Sequence, residues 1–595
     1  MEKTISASLR FLKICSLTEM RFILFAMSGL LVPLSWNVPI ALSAKPLDPS
    51  VLTKYVDPMP ILEVMPSVGK LNGVPFYNVG MTQISRFVHK YFEDSNLPTT
   101  LWGYGPPDDI GGFKGTYPGR TFEVRKNQQI KVKWTNALPS THLFPIDTTI
   151  HGANFRDPND PNSGHAPAVR TVVHLHGAHV GSASDGYPEA WFTAGFSKTG
   201  HSFTKQIYFY PNTQHATTLW YHDHALGITR LNVYAGLAGF YLIRDTFEDN
   251  LNLPKGEFEI PIIIHDRSFN DDGSLFYPAE EIDGVEPSIV PEFFGNTAVV
   301  NGKVWPKLEV EPRKYRIRFL NGSNARFYNM QLFVNGNLNK PGPVFHQIGT
   351  DGGLLEAPVT INGRLLLAPA ERADVIINFS RFEGKSLILH NDAKAPFKGE
   401  DTIDDPDVDD EAPLPKIMKF VVKSNVTEHD TSSLPSKLKT LNRITEASAI
   451  AERDIILSEG EDNFGRLMSL INNSEWSDPI TEKPTLGTNE IWSLINLTED
   501  VHPIHLHLVQ FQILDRQALT PDGNGGWVSI PDPNAPRIPP DANEDGRKDT
   551  VRANPGEVTR IIAHFDVRGL FVLHCHMLEH EDHEMMRPYK VAKGH

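Results

Sequence analysis

Apolar and polar residues alternate in short bursts along most of this chain. TFEVRKNQQIKVKW (121–134), YRIRFLNGS (315–323), ADVIINFS (373–380), KIMKFVV (416–422), EIWSLINLT (490–498) and VTRIIAHFDV (558–567) are short apolar runs of strand length set between Gly, Pro and Asn/Asp punctuation. A period of two sends successive side chains to opposite faces, so these segments predict sandwich strands and an all-β fold. At 595 residues the chain exceeds what one hydrophobic core organises, and two to four domains are expected. The polar stretches DTFEDNLNLPKGE and KSNVTEHDTSSLPSK place boundaries near 245 and 425. The predicted order is a leader at 1–44, then β-sandwich domains at 45–245, 246–425 and 426–595.

Composition narrows the function by exclusion. With 40% hydrophobic and 22% charged residues, 44 Gly and 46 Pro, the chain is an ordered, turn-rich protein, neither disordered nor collagen-like. A formal net charge of −16 and the lack of a Lys/Arg stripe exclude a general nucleic-acid binder. The apolar run FILFAMSGLLVPL (22–34) follows Arg21 and precedes small residues, a secretory-signal pattern that predicts export to a periplasm, cell surface or medium. Met20 gives a more compact start for that signal than Met1. Pro33, Asn37 and Pro39 interrupt the run, so no stable membrane span is expected after cleavage.

The cysteine count changes the picture. Cys15 precedes the cleavage region, so the exported protein keeps Cys575 alone and no intrachain disulfide can form. A lone thiol persisting in an oxidising space has a good reason to persist if it binds a metal. Two acidic loops are weaker signals. EDTIDDPDVDDE (400–411) reads as a solvated loop. DANEDGRKDTVR (541–552) opens like a calcium loop but puts Arg552 where the bidentate Glu belongs, which favours a structural turn. Asn321, Asn378, Asn425, Asn472 and Asn496 stand in N-x-S/T sequons.

Four histidine groups carry the chemistry: HLHG from His174, WYHDH with His222 and His224, HPIHLH with His502, His505 and His507, and HCHMLEH with His574, His576 and His580. Residues two apart on a strand point the same way, so each H-x-H offers two imidazoles to one place. Four such pairs, split between distant regions, can surround one metal cluster. In HCH the same alternation sends His574 and His576 to one face and Cys575 to the other, so adjacent residues serve two sites separated by on the order of 10 Å. Cys575, His580 and His502 form a His₂Cys set, with Met585 as a weak axial ligand, which selects copper and describes a blue electron-transfer site. Zinc fits less well, because the set is rich in imidazole and poor in thiolate. Met585 taken alone reads as core packing.

HLHG, HDHALGITRLNVYAGLAGFYLI, HPIHLHLVQFQILDR, KDT and HCHMLEHEDHEMMRP, with LWGYGP, DGYPEAWF, DGSLFYP, NGKVWPKLEVEPRKYR and LAPAER, resemble the multicopper oxidases, and most the spore-coat laccase and bilirubin oxidase branch. The resemblance implies three consecutive cupredoxin-like Greek-key β-sandwiches. It also implies four copper ions: a type 1 copper in the third domain, and one type 2 and two type 3 coppers between the first and third. His174 and His505 would hold type 2; His176, His222, His224, His507, His574 and His576 would hold type 3. Glu581 and Asp185 match the family's carboxylates beside the cluster. A laccase-type reaction follows, with electrons from a small-molecule or metal-ion reductant passing through Cys575 to dioxygen in a monomer. Phenolic or bilirubin-like compounds are the first expected substrates.

The substrate end departs from the spore-coat laccases. NLTEDVH puts Glu499 and Asp500 before His502 where they carry a basic residue, and PSIVPEFFGN puts Glu292 in a segment that by resemblance lines the blue-copper pocket. Both places resemble the plant low-phosphate-root ferroxidases, which draw a further acid from the loop matching Glu400 or Asp401. A metal oxidase acting on Fe²⁺ or Mn²⁺ is therefore the alternative, since hard carboxylate oxygens suit those ions. The other reading of these acids is a solvated rim. A cuprous oxidase with a methionine-rich lid is disfavoured because the 12 Met are scattered. A non-catalytic copper-binding protein would have broken ligand sets, and these are intact.

Overall fold

The computed structural model describes residues 44–153, 166–400, 403, 405 and 409–594. Residues 1–43 of the expected leader, Cys15 and Asp401 lie outside the described residues. Apart from a two-stranded ribbon, Glu280–Ile282 with Val285–Ser288, the described strands gather into three pairs of sheets. A five-stranded and a four-stranded sheet draw on residues 69–244, an eight-stranded and a five-stranded sheet on 259–422, and a six-stranded and a four-stranded sheet on 449–591. The gaps between these ranges fall on the two polar stretches of the sequence, and we retain 245 and 425 as proposed boundaries. Among the described residues no helix is long and apolar enough to cross a membrane.

Alternation holds where a strand has one wet face. Ile130–Asn136 buries every second residue. It fails in the strands that matter most here. Val173–His176 (β1) and Thr217–Asp223 (β2) are buried on both faces, as are His502–Leu506 (β5) and Thr550–Ala553 (β6). One face of such a strand packs on its own sandwich, and the other holds polar side chains against a neighbouring one, so burial no longer follows the pleat. Between these elements lie a buried helix, Thr229–Ala235 (α1), and the strands Ala238–Arg244 (β3) and Arg372–Asn378 (β4). Gly569–Cys575 (β7), Leu578–Asp582 (α2) and Met586–Val591 (β8) end the chain.

Packing fixes these elements in place. One continuous apolar core joins residues of the first and second pairs of sheets, among them Trp134, Tyr221, Ile317 and Val375. A second core, including Trp492, Phe565 and Tyr589, also encloses Cys575 and Met585. Each large side chain so buried contributes roughly 1.5–3 kcal/mol of transfer free energy. The two ends of the chain are tied where α1 begins. The Asp582 carboxylate of α2 accepts the N–H groups of Thr229 at 3.0 Å and Arg230 at 2.9 Å, and pairs with the Arg230 guanidinium at 2.9 Å. A carboxylate satisfies the otherwise orphaned amides of a helix start, and here it comes from some 350 residues downstream.

Candidate metal centre

Strand register builds the site. β1 and β2 run antiparallel with His174 opposite His222. β5 lies between β6 and β7, with His505 opposite both Thr550 and His574, and Ile504 opposite Cys575. The imidazoles of the two segments interleave: His174 stacks on His507 with ring centroids 3.7 Å apart, and His176 on His505 at 3.6 Å. These six histidines, with His224 and His576, are each at most 1% exposed.

Their nitrogens converge in separate groups. His224, His507 and His574 bring Nε2 atoms together, 3.2 Å between the first two and 3.3 Å between the last two. His176, His222 and His576 form a second trio, and His174 and His505 approach through Nε2 at 3.4 Å. The opposite ring nitrogens are held in place. His174 Nδ1 donates to the Asp185 carbonyl at 2.6 Å, His505 Nδ1 to the Asp549 carbonyl at 2.7 Å, and His222 Nδ1 to the Asp223 carbonyl at 2.9 Å. His176 is turned the other way: its Nε2 meets Asp549 Oδ1 at 3.0 Å, which leaves Nδ1 as the free nitrogen. His222 Nε2 and both nitrogens of His576 also lack hydrogen-bond partners.

Buried polar atoms without partners are costly, and here they point at one another. Burial, with neighbouring imidazoles adding to it, holds His174, His176, His224, His507 and His576 well below the ordinary histidine range. Burial takes His222 to about 3. Neutral imidazoles with free lone pairs are the form that ligates a metal. The donor set therefore fits metal ions, and all-imidazole sites suit copper among them.

The thiol site lies across β7. Cys575 Sγ is 3.6 Å from His502 Nδ1 and 4.0 Å from His580 Nδ1, and the two nitrogens are 3.3 Å apart. His502 Nε2 meets Thr498 Oγ1 at 2.7 Å, which fixes the ring. Met585 is fully buried, and its main chain links the other ligands: its N–H donates to His580 O and its carbonyl accepts from Cys575 N–H. Burial pushes the Cys575 thiol well up, and the charges of Glu581, Glu292 and Asp500 add to the rise. A bound cation reverses that balance and yields the thiolate.

The two carboxylates expected beside the cluster are there. Asp185 Oδ2 accepts from His507 Nδ1 at 2.7 Å, its Oδ1 has no partner, and burial holds it well above the usual carboxylate range. Glu581 sits 3.2 Å from His224 Nδ1 and 3.0 Å from His574 Nδ1. Asp549 is a further carboxylate beside the histidines; it lies in the KDT motif and in the 541–552 stretch read as a structural turn. That loop's acids face guanidinium groups: Asp549 pairs with Arg372, Glu544 with Arg516 and Arg552, and Asp545 with Arg443. Gly177 makes room for the first pair. Its φ is +83°, and a Cβ there would stand 2.3 Å from Asp549 Oδ2.

The acids near His502 separate. Asp500 and Glu292 are half-buried, and Glu292 Oε1 is buried without a hydrogen-bond partner. Burial first, then Asp500 and Glu579, push Glu292 well up. Glu459, which the sequence reading missed, joins them: partial burial and then the charges of Asp500 and Glu499 push it up too. Glu499 itself points to solvent, 80% exposed and 3.5 Å from Lys398. Glu400 pairs with Arg552 at 2.9 Å.

Residues 161–247 and 434–595 each match a family model described as multicopper oxidase. The chain is 44% identical to a laccase of Bacillus subtilis over 551 residues, covering 91% of this chain and 99% of that one. It is 35% identical to multicopper oxidase LPR1 of Arabidopsis thaliana, covering 91% and 93%. Among solved structures, the McoA multicopper oxidase of Aquifex aeolicus superposes with a TM-score of 0.67 at 26% identity, covering 91% of this chain and all of that one. With its β-sandwich fold and its converging histidines and cysteine, this chain belongs to the multicopper oxidase family, copper-dependent oxidoreductases that use dioxygen.

Proposed function

We propose that this chain is a laccase-type oxidase that takes electrons one at a time from a reductant near His502 and passes four of them to dioxygen, forming water. In this reading His502, Cys575, His580 and Met585 hold one type 1 copper. His174 and His505 hold type 2, and His176, His222, His224, His507, His574 and His576 hold the type 3 pair. Copper, when bound, supplies the one-electron couples and the dioxygen chemistry. One observation carries the proposal: the Cys575 side chain belongs to the outer group while His574 and His576, one peptide away on either side, belong to the inner ones. Two covalent paths, each across one peptide unit, thus join the electron entrance to the inner cluster.

The carboxylates have defined tasks in this scheme. Asp185 holds the His507 ring through Oδ2, and burial, which raises its carboxyl, favours a proton on the Oδ1 atom that has no hydrogen bond. Glu581 faces two ligand rings at once and orients both. Dioxygen reduction consumes protons, so such groups serve as local donors.

Phenolic or bilirubin-like donors remain the first substrate class, supported by the 44% identity to the Bacillus subtilis laccase. A second reading, oxidation of Fe²⁺ or Mn²⁺, is favoured by one feature. The Asp500 charge raises the carboxyls of both Glu292 and Glu459, and Glu292 Oε1 is unsatisfied. Like charges gathered this way suit a hard cation. Oxygen uptake by the copper-replete chain with Fe²⁺, Mn²⁺, bilirubin and dimethoxyphenol separates the readings. Uptake with the organic donors alone selects the first, and uptake with Fe²⁺ that Asp500→Ala abolishes selects the second. No uptake with any donor would leave a copper-binding protein without catalysis. Export and a monomeric state are proposed on the leader and on one chain supplying every ligand.

A further inference from the structure

Away from the electron path, the seam beside Gly177 gathers positive charge in a chain whose net charge is −16. Lys126 Nζ donates to His215 Nδ1 at 2.9 Å, and the Gln214 amide next to it donates to the Gly177 carbonyl at 2.8 Å. A cavity of about 270 Å³ opens among His179, Gln214, His215, Gln510, Arg547 and Asp566, whose carboxylate is taken up by His179 Nε2 at 2.7 Å. A second of about 90 Å³ shares His215 and Arg547 and adds Lys439.

The counter-charge is incomplete. Among the described residues neither Lys126 nor Arg547 forms an ion pair; Arg547 Nη2 reaches only the Asn442 carbonyl, at 3.1 Å. Lys439 has a single carboxylate, Asp245, at 3.9 Å, and that group already accepts the N–H groups of Ala216 and Glu248. Gln510 Nε2 lies buried on the cavity wall with no acceptor. Burial, with Lys439, Lys126 and Arg547 adding to it, takes His215 down to about 4. Donors outnumber acceptors here, and the cations repel one another.

We propose that this double cavity binds a multivalent oxyanion of the phosphate class, with His215, Lys439 and Arg547 as its donors and Lys126 adding its charge from behind His215. An anion there satisfies the open guanidinium and ammonium groups through charge-assisted hydrogen bonds and relieves their repulsion. No ligand assigned to copper takes part, so the site is separate from turnover.

Calorimetric titration of the copper-replete full chain with inorganic phosphate and with tripolyphosphate, at ionic strength held constant with chloride, tests this. Saturable binding above the chloride background is expected, and tighter tripolyphosphate would identify a polymeric phosphate rather than the free ion. Removing two of these positive charges in Lys126→Ala/Lys439→Ala weakens binding at least about tenfold. Arg547→Gln, which removes the guanidinium and its charge from the wall shared by both cavities, also weakens binding and serves if the double variant does not fold. Copper content of each variant serves as the folding control. Absence of saturation, or affinity unchanged in both variants, overturns the proposal.

Discussion

Arg372 grips Asp549 through two parallel hydrogen bonds, Nη1 to Oδ1 at 2.8 Å and Nη2 to Oδ2 at 2.5 Å, with both side chains at most 1% exposed. Asp549 in turn touches His176 through its carboxylate and His505 through its carbonyl. Arg372 starts β4, in the stretch 246–425 that supplies no proposed ligand, and is itself fixed by the carbonyl of Thr218 and the carboxylate of Asp351. The middle of the chain thus orients rings held by its two ends.

Arg372→Gln keeps a donor but loses the second bond and the charge. Groups that orient ligands typically account for 10–100-fold in metal affinity, so copper retention under mild chelation is expected to fall by about that factor, from the inner cluster first. Copper per chain and the electron paramagnetic resonance of the type 2 ion read this directly. Gly177→Ala, whose Cβ would displace Asp549, should reproduce the loss. Full copper with an unaltered spectrum in both variants removes the positioning role.

Cys575→Ser replaces the thiolate by a hydroxyl that is a poor copper ligand. The intense visible absorption of a copper–thiolate bond and oxygen uptake should vanish together, while the inner histidines still bind metal. A variant that stays blue would place the outer site elsewhere.

Asp582→Ala leaves Arg230 buried and uncompensated and the start of α1 uncapped. Breaking a buried pair from one side costs about 3–5 kcal/mol, and the lost cap adds about 1 kcal/mol. Chemical denaturation of the copper-replete protein should show a loss of that size. A change below about 1 kcal/mol, the scale of an exposed pair, would mean the contact holds little.

Much of the site could be read from period-two logic. His174 and His176 share a group with His505, as alternation requires, and His574 and His576 both leave the Cys575 side, but they join different trios, a split that period-two spacing alone does not give. Arg372 and Asp549 were not legible as a pair, because they stand 177 residues apart and meet only through the packing of separate sandwiches. The KDT motif was a signal for Asp549, but the D-x-N-x-D-G opening before it pointed to calcium. Nothing in the sequence sets Glu459 apart on its strand; only the fold brings it under the charges of Asp500 and Glu499. Glu499 and Asp500 looked equivalent in sequence; backbone direction sends one to Lys398 and solvent and leaves the other half-buried.

The acids near His502 give a pH signature. Burial, then Asp500 and Glu579, hold Glu292 well above the usual carboxylate range, and burial, with Glu499 adding to it, raises Asp500. A carboxyl raised on folding keeps its proton to higher pH than in the unfolded chain. The stability it confers is therefore present below the unfolded pKa and lost as pH rises through the folded value. A bound dication favours the ionised form and reverses that trend. Raising pH from mildly acidic to mildly alkaline should lower the KM for Fe²⁺ while leaving that for a non-ionising aromatic donor nearly flat. Without added cation the same change should lower the melting temperature, and Mn²⁺ should restore it. Glu292→Gln, which cannot ionise, should weaken both responses. Parallel KM profiles for the two donors, or a Glu292→Gln variant that keeps the Mn²⁺ response, would show that these carboxylates form a solvated rim and not a metal-docking site.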